Sequence, residues 1–111
     1  MPQPKLSVRF FRTTEGREPV REWLKSLPRD ERKAIGDELR TVQFGWPLGM
    51  PLVRKLDAGL WEVRVGLPNR TARVLFTIVE QQVVLLHGFV KKSQKTPARE
   101  LAVARQRKEQ L

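Results

Sequence analysis

Two kinds of hydrophobic spacing divide this chain into strands and helices. The segment KLSVRFFR (5–12) alternates apolar and polar residues with a period of two, which is typical of a strand. Apolar residues then recur at helical spacing, which predicts two helices in succession. The two apolar stripes are Val20, Trp23, Leu24 and Leu27, followed by Ile35, Leu39 and Val42.

Residues suited to helix ends flank both stripes. Thr14 is expected to cap the first helix, and Pro28 to lie in the first turn of the second. Gly45 follows the second stripe and is expected to end that helix in a left-handed conformation. A loop rich in glycine and proline, GWPLGMP (45–51), then separates the helices from the rest of the chain.

Strand patterns dominate the part of the chain that follows this loop. Short turns join them, which predicts antiparallel hairpins. The segments are LVRKL (52–56), LWEVRV (60–65), TARVLFTIV (71–79) and QVVLLHGFVKK (82–92). Thr96 and Pro97 begin a final helix, with Leu101, Ala104 and Leu111 on one side.

The order of these elements predicts an α+β fold in a single domain, residues 1–111. We expect a twisted antiparallel sheet with two N-terminal helices packed on one face and a C-terminal helix. We also expect the other face of the sheet to be concave and open.

Composition removes several function classes. The chain has 111 residues, no cysteine and one histidine, which excludes disulfides and cysteine-based zinc or redox sites and disfavours a histidine-rich metal site. No apolar run approaches the length of about 18 residues that spans a membrane, and the N-terminus lacks the apolar core of a signal peptide. We therefore expect a cytoplasmic protein without a cysteine- or histidine-based metal cofactor.

The positive charge is concentrated outside the two predicted N-terminal helices. The formal net charge is +10, yet residues 15–45 carry seven basic and seven acidic side chains. The excess therefore lies on the sheet and the terminal segments, where it would attract phosphate polyanions. Charge that serves solubility alone is the alternative, but it would be spread more evenly.

Strand alternation predicts where the cations meet. Glu62 and Arg64 share one side of the third strand, and Arg73 lies near the start of a very apolar fourth strand. If these strands pair in register, Arg64 and Arg73 face each other on one surface. A buried charge at position 73 needs a partner, and a bound phosphate is one candidate. Lys91 and Lys92 end the fifth strand at the same end of the sheet.

Structural roles are open for several of these residues. His87 lies within an apolar strand, where a hydrogen-bonded interior histidine is more common than a catalytic one. Glu62 could serve only to pair with Arg64. The tryptophans are expected first to be core or loop anchors: Trp23, Trp46 and Trp61.

Two long segments resemble a known protein family. RKLDAGLWEVRVGLPNRTARVLFTI (54–78) and VVLLHGFVKKSQKTPARELAVA (83–104) resemble the RelE/HigB superfamily of type II toxins, in particular its phage-derived, HigB-like branch. The block HGFVKKSQKTP is the most specific part, and the likeness extends from Leu6 to about Ala104. The resemblance implies a RelE-like fold and a ribosome-dependent mRNA endonuclease that needs no metal and inhibits translation.

The resemblance also implies roles by position in the motifs. Arg73 falls on the arginine that contacts the scissile phosphate, and Arg64 on a basic residue of the active sheet. His87 or Glu62 is a possible acid or base, although Glu62 stands where some members have lysine. The other implied residues are catalytic Lys91, Lys92 and Lys95, and RNA-binding Arg54, Lys55 and Arg70. The chain has no tyrosine, so the aromatic hydroxyl that some members use is absent.

The resemblance further implies three partners: a cognate antitoxin, the ribosome and mRNA. A HigA-like helix-turn-helix protein is the expected antitoxin, and it would cover the basic face by charge complementarity. No membrane association is expected. Three alternatives remain open, namely a ParE-like gyrase poison, a non-catalytic nucleic-acid-binding module, and an inactive prophage remnant.

Overall fold

The computed structural model describes residues 4–91 and 95–111. Within this part of the chain, strands and helices follow one another in the predicted order, which confirms the α+β class. The elements are β1 (Ser7–Phe10), α1 (Pro19–Lys25), α2 (Arg29–Gly45), β2 (Val53–Asp57), β3 (Leu60–Gly66), β4 (Thr71–Val79), β5 (Gln82–Lys91) and α3 (Ala98–Glu109).

One sheet holds these strands in the order β1-β5-β4-β3-β2. The strands from β2 to β5 are antiparallel neighbours, as the hairpin pattern predicts, but β1 runs parallel to β5. The sheet is therefore mixed rather than wholly antiparallel. Two helices and three strands intervene between β1 and β5, so no hairpin turn sets the direction of β1.

The helix ends differ from the sequence expectation at three points. Pro28 lies just before α2, as its N-cap, and not in its first turn. α1 begins at Pro19, so Thr14 lies in the preceding loop and does not cap it. Proline suits the first helical position because it has no N–H to satisfy and its fixed φ already fits a helix. Gly45 is the last residue of α2 but has no positive φ. Within the described residues, the glycines with positive φ are Gly16 and Gly59.

Helices pack on both faces of the sheet. α1 and α2 cover one face, as predicted, and pack against the side chains of β3, β4 and β5 that point toward them. α3 packs on the opposite face, where Leu101 and Ala104 meet Leu75, Val84 and Leu86. The expectation of an open second face is therefore wrong. β4 is buried on both of its sides, and its apolar side chains need cover on each.

An irregularity in β5 increases the apolar area beneath α3. Leu75 of β4 pairs with His87, whereas the next residue of β4 pairs with Leu85, so Leu86 is an extra residue in the strand. Beyond this bulge the alternation changes phase, and Phe89 joins Leu86 in the cluster beneath α3. The apolar run of β5 does not itself reveal where the phase changes.

Tryptophans anchor the layer between the sheet and the first two helices. Trp46 and Trp61 meet edge to face with ring centroids 5.0 Å apart, and both contact Phe76. Trp23 of α1 lies directly over Gly88 of β5, where any Cβ would collide with the indole ring. The predicted anchoring role of the tryptophans is confirmed, and the missing side chain at position 88 lets α1 approach the sheet.

Candidate functional site

Two arginines meet where β3 and β4 run side by side. Arg64 and Arg73 are direct cross-strand partners, which confirms the predicted register. Thr96, just before α3, is hydrogen-bonded to both Glu62 and Arg73, so these side chains lie beneath the start of that helix. We call Glu62, Arg64, Arg73 and Thr96 the arginine–glutamate cluster.

Glu62 is the centre of this cluster. The residue is fully buried, and its Oε1 accepts a hydrogen bond of 2.9 Å from Arg64 Nε. Its Oε2 accepts one of 2.6 Å from the Thr96 hydroxyl and lies 4.0 Å from Arg73 Nη1. Arg73 Nη1 also donates to the Thr96 hydroxyl oxygen at 3.4 Å. One buried carboxylate therefore faces two guanidinium groups.

Arg73 is buried as deeply as a core residue, with 1% of its surface exposed. Burial lowers its pKa, the charge of Glu62 opposes that shift, and the charges of Arg64 and Arg54 add to it. Because a guanidinium remains protonated in proteins, the buried charge needs compensation. In this conformation Glu62 and Thr96 supply it from within the protein.

A shallow groove opens beside the cluster, between β2 and the start of α3. Its volume is about 200 Å³. The groove is lined by Arg54, Lys55, Leu56, Lys95, Thr96 and Leu101. Arg54, Lys55 and Lys95 are exposed, whereas the two leucines are half-buried. Thr96 belongs to this β2–α3 groove and to the cluster, so it connects exposed cations with buried ones.

The other predicted basic residues lie apart from this groove. Lys91 occupies the last position of β5, opposite Thr71 at the start of β4. Arg70 donates a hydrogen bond of 2.6 Å to Glu31 of α2, which draws it toward the helical layer. The structure therefore does not bring Arg70 to the groove. Lys92 lies outside the described residues.

Among residues 4–91 and 95–111, no group of three or more histidine, cysteine, aspartate or glutamate residues is arranged to hold a metal ion. Over the same ranges, no helix combines the length and apolar content needed to cross a membrane. The cations that the structure does bring together here are those of the cluster and the groove: Arg64, Arg73, Arg54, Lys55 and Lys95.

A family model matches most of this chain. The model, described as "Phage derived protein Gp49-like (DUF891)", covers residues 22–109, and this range includes the whole cluster and groove. The chain belongs to the Gp49-like family. The Gp49-like family includes toxin-like proteins of toxin–antitoxin systems. A search of curated proteins found no significant match.

In this Gp49-like protein, His87 is engaged at both ring nitrogens. Its Nε2 lies 3.0 Å from Glu100 Oε1 in α3, and its Nδ1 lies 3.4 Å from Arg107 Nη1. The same arginine nitrogen donates a hydrogen bond of 2.7 Å to the carbonyl oxygen of Leu86. A neutral imidazole that donates from Nε2 and accepts at Nδ1 satisfies both contacts. This geometry supports the structural alternative, in which His87 ties α3 to β5.

Sequence reasoning does not identify three residues near the end of the Gp49-like chain that belong to the cluster or hold α3 against the sheet. It treats Thr96 only as a helix-start signal, yet the hydroxyl of this residue belongs to the cluster. Glu100 and Arg107 resemble ordinary surface charges, but together with Ala104 they form the helical face that meets the sheet. Their i, i+4, i+7 spacing is the signal that could have revealed this face.

Proposed function

We propose that this Gp49-like protein is the toxin of a type II toxin–antitoxin system and that it cleaves mRNA on the ribosome without a metal ion, which inhibits translation. The observation that best supports this proposal is the cross-strand pairing of Arg64 with Arg73 beside a groove rimmed by exposed cations. Guanidinium groups held in this way suit a reaction in which negative charge grows on phosphate oxygens. The HGFVKKSQKTP block and the toxin-like members of the family support the same conclusion.

The proposed reaction is the attack of a ribose 2′-oxygen on the neighbouring phosphate. The bond from the 2′-oxygen to phosphorus forms, the bond from phosphorus to the 5′-oxygen breaks, the 2′-hydroxyl loses a proton and the 5′-oxygen gains one. Arg64, whose side chain is 14% exposed, would donate to a phosphate oxygen. The candidates for the two proton transfers are Lys91, Lys92 and Lys95.

Arg73 and Glu62 take a different part in this proposal. Both are buried in this conformation and are hydrogen-bonded to Thr96, so neither would touch RNA here. Glu62 orients Arg64 through the hydrogen bond of 2.9 Å, and the buried charge of Arg73 adds to the positive potential at this end of the sheet. Contact between Arg73 and the scissile phosphate would require a rearrangement that exposes the guanidinium.

The proposed partners are the translating ribosome with its mRNA and a cognate antitoxin. A HigA-like helix-turn-helix protein with an acidic surface would cover the basic face and mask its cations. The net charge of +10, concentrated outside residues 15–45, supports partners that carry negative charge.

Substitution of Arg64 is the test of the proposed reaction. We expect Arg64→Ala to remove growth arrest on induced expression and to lower mRNA cleavage by purified translating ribosomes about a hundredfold, measured by primer extension. Arg40 is an exposed arginine of α2, and Arg40→Ala is the matched control that should behave like the wild type. Circular dichroism should show the same fold in both variants.

The outcomes separate the proposal from its alternatives. Undiminished cleavage by folded Arg64→Ala would reject the site. Growth arrest with intact transcripts and inhibited gyrase would favour a ParE-like poison. RNA binding that weakens with salt but yields no cleavage product would favour a non-catalytic module.

A further inference from the structure

We infer that the outer side of β1 is a docking site for an extended acidic segment of another protein, which adds to the sheet as a further strand. We call the outer side of Ser7–Phe10 the β1 edge. This docking site does not depend on the proposed function, because β5 and β4 separate β1 from the strand that carries Arg64. It is a second interaction surface, apart from the β2–α3 groove.

The backbone of β1 presents hydrogen-bonding groups on its outer side. In the sheet that the described residues form, β1 is the last strand at one end, and it pairs in parallel with β5. The N–H group of Ser7 donates to Gln81 just before β5, and that of Phe11 donates to β5 at the other end of the pairing. In a parallel ladder alternate residues bond the same neighbour, so the N–H and C=O groups of Val8 and Phe10 point away from β5. Such outward groups are the template that strand addition uses.

Contacts with α2 limit the open length of the β1 edge. The N–H group of Leu6 donates to the Gln43 carbonyl oxygen at 3.1 Å, and the Leu6 carbonyl oxygen accepts from Gln43 Nε2 at 3.2 Å. The end of α2 therefore already occupies the outward groups that precede Val8. Since β1 ends at Phe10, the edge offers one N–H and one C=O from each of two residues, which suits a short incoming strand.

The β1 edge has space for incoming side chains at both of its ends. A hollow of about 470 Å³ lies at the C-terminal end of β1, and Phe10, Arg12 and Leu111 contribute to its lining. Another hollow, of about 490 Å³, lies at the N-terminal end, where Lys5 and Ser7 contribute. Leu111 is 49% exposed, so a strand that docks here would also cover apolar surface.

The two sides of β1 differ in chemistry. Val8 and Phe10 pack against the core between the sheet and the first two helices, whereas Phe11 belongs to the cluster beneath α3. By alternation Arg9 points to the α3 side, and it is exposed. An added strand with the same alternation therefore needs apolar side chains on the side of α1 and α2, and a polar side chain next to Arg9.

The charges of this segment select an acidic partner. Residues 4–14 carry three cations, Lys5, Arg9 and Arg12, and no acidic side chain. Arg12 lies 3.6 Å from Glu18. Among residues 4–91 and 95–111, no carboxylate forms an ion pair with Lys5 or Arg9. A carboxylate opposite Arg9 would therefore gain a cross-strand ion pair without displacing an existing one.

The same charges disfavour a second copy of this chain as the occupant. An antiparallel pair of β1 strands that uses all the outward groups sets Val8 opposite Phe10 of the other copy, and Arg9 opposite its own counterpart. Like charges in direct cross-strand positions are destabilising, and cations on an exposed edge prevent this kind of self-association. The edge therefore favours a different chain, with a carboxylate where a second copy would have arginine.

The test uses the full chain, isotope-labelled, and a capped hexapeptide in which valine and glutamate alternate. In NMR titrations we expect the backbone amides of Val8 and Phe10 to shift most and to become protected from hydrogen exchange. The amide of Ser7 already donates to Gln81, so its protection should not change. N-methylation of one alternating set of peptide residues should abolish binding and that of the other set should not, because a strand bonds one neighbour through alternate residues.

Charge reversal at Arg9 tests the selection of an acidic partner. We expect Arg9→Glu to weaken binding of the glutamate peptide about tenfold and to strengthen binding of the matching lysine peptide by a similar factor. Arg40→Glu, on the exposed side of α2, makes the same change of net charge and should alter either affinity less than about twofold. Val8→Pro removes an outward N–H but no bond to β5, so it should also weaken binding of the glutamate peptide.

Four results would overturn the docking site. No binding at about 1 mM peptide, equal binding of the glutamate and lysine peptides, or largest shifts in the β2–α3 groove would each exclude strand addition at β1. A dimer that Val8→Pro dissociates in sedimentation experiments would assign the edge to a second copy. Shifts confined to the β1 edge, sensitivity to one set of N-methyl groups and inverted preference in Arg9→Glu would together uphold it.

Discussion

The hydroxyl of Thr96 donates a hydrogen bond of 2.6 Å to the fully buried carboxylate of Glu62. The two residues are 34 positions apart, so this contact fixes the beginning of α3 to the middle of the sheet. The same hydroxyl oxygen accepts from the guanidinium of Arg73, so the residue just before α3 also contacts the buried arginine. The arrangement predicts effects on stability that can be separated from effects on activity.

Loss of the Thr96 hydroxyl should destabilise the protein. Thr96→Val keeps the shape of the side chain but leaves Glu62 short of one donor, and we expect the free energy of unfolding to fall by about 1–3 kcal/mol in urea denaturation. Thr41 donates to a backbone carbonyl on an exposed part of α2, so Thr41→Val should cost less than about 0.5 kcal/mol. A Thr96→Val variant as stable as the wild type would show that the bond contributes nothing.

The buried ion pair should show strong coupling in a double-mutant cycle. Glu62→Leu leaves Arg73 buried without its carboxylate, and we expect a loss of about 3–5 kcal/mol in the free energy of unfolding. Adding Arg73→Leu removes the uncompensated charge and should restore most of that loss. Chemical denaturation of the wild type, the two single variants and the double variant gives the coupling energy. If the two single effects simply add, Glu62 and Arg73 do not interact as described.

The close approach of α1 to the sheet makes Gly88 sensitive to any side chain. Gly88→Ala would push a methyl group into the ring of Trp23, and we expect a loss of about 1–3 kcal/mol in the free energy of unfolding. Gly36 lies within α2 with open space around it, so Gly36→Ala should instead stabilise by about 0.5–1 kcal/mol. Thermal melts should show a lower melting temperature for Gly88→Ala and a higher one for Gly36→Ala. Equal shifts would contradict the close contact between Trp23 and Gly88.

Substitution of His87 should reduce stability and leave activity intact. Both ring nitrogens bind α3 side chains, so His87→Ala removes a tie between α3 and β5 and should cost about 1–2 kcal/mol. Growth arrest and ribosomal mRNA cleavage should remain at the wild-type level once the protein is folded. A folded variant that no longer cleaves would restore the acid–base role of this histidine.

The lowered pKa of Asp57 predicts that part of the protein's stability is lost at acid pH. The backbone N–H of Ala58 and the guanidinium of Arg105 both donate to its carboxylate and lower its pKa below the usual value near 3.8. The stabilisation is therefore present above that value and is lost as the pH falls through the lowered pKa. In Asp57→Asn the melting temperature should therefore depend less on pH between about pH 4 and 2. High salt should weaken the stabilisation in the wild type, because the Asp57–Arg105 pair is half-exposed.

Much of the site follows from alternation alone. Once β3 and β4 are recognised as consecutive strands, the period of two places Arg64 and Arg73 on one surface, and the short turn between them makes antiparallel pairing the natural register. The anchoring role of Trp46 and Trp61 follows similarly from their apolar surroundings.

The sequence by itself determined the order and type of the elements, the antiparallel run from β2 to β5 and the meeting of two arginines, because these depend on periods within one segment or between adjacent segments. Only the tertiary structure decided that β1 runs parallel to β5, that Leu86 shifts the phase of β5, and that α3 covers the second face. These features depend on contacts between distant segments. A local spacing can reveal that α3 has a buried face, but not which surface that face packs against. The role of Thr96 could not be predicted for the same reason, since its hydroxyl bonds Glu62 only when α3 packs over the sheet.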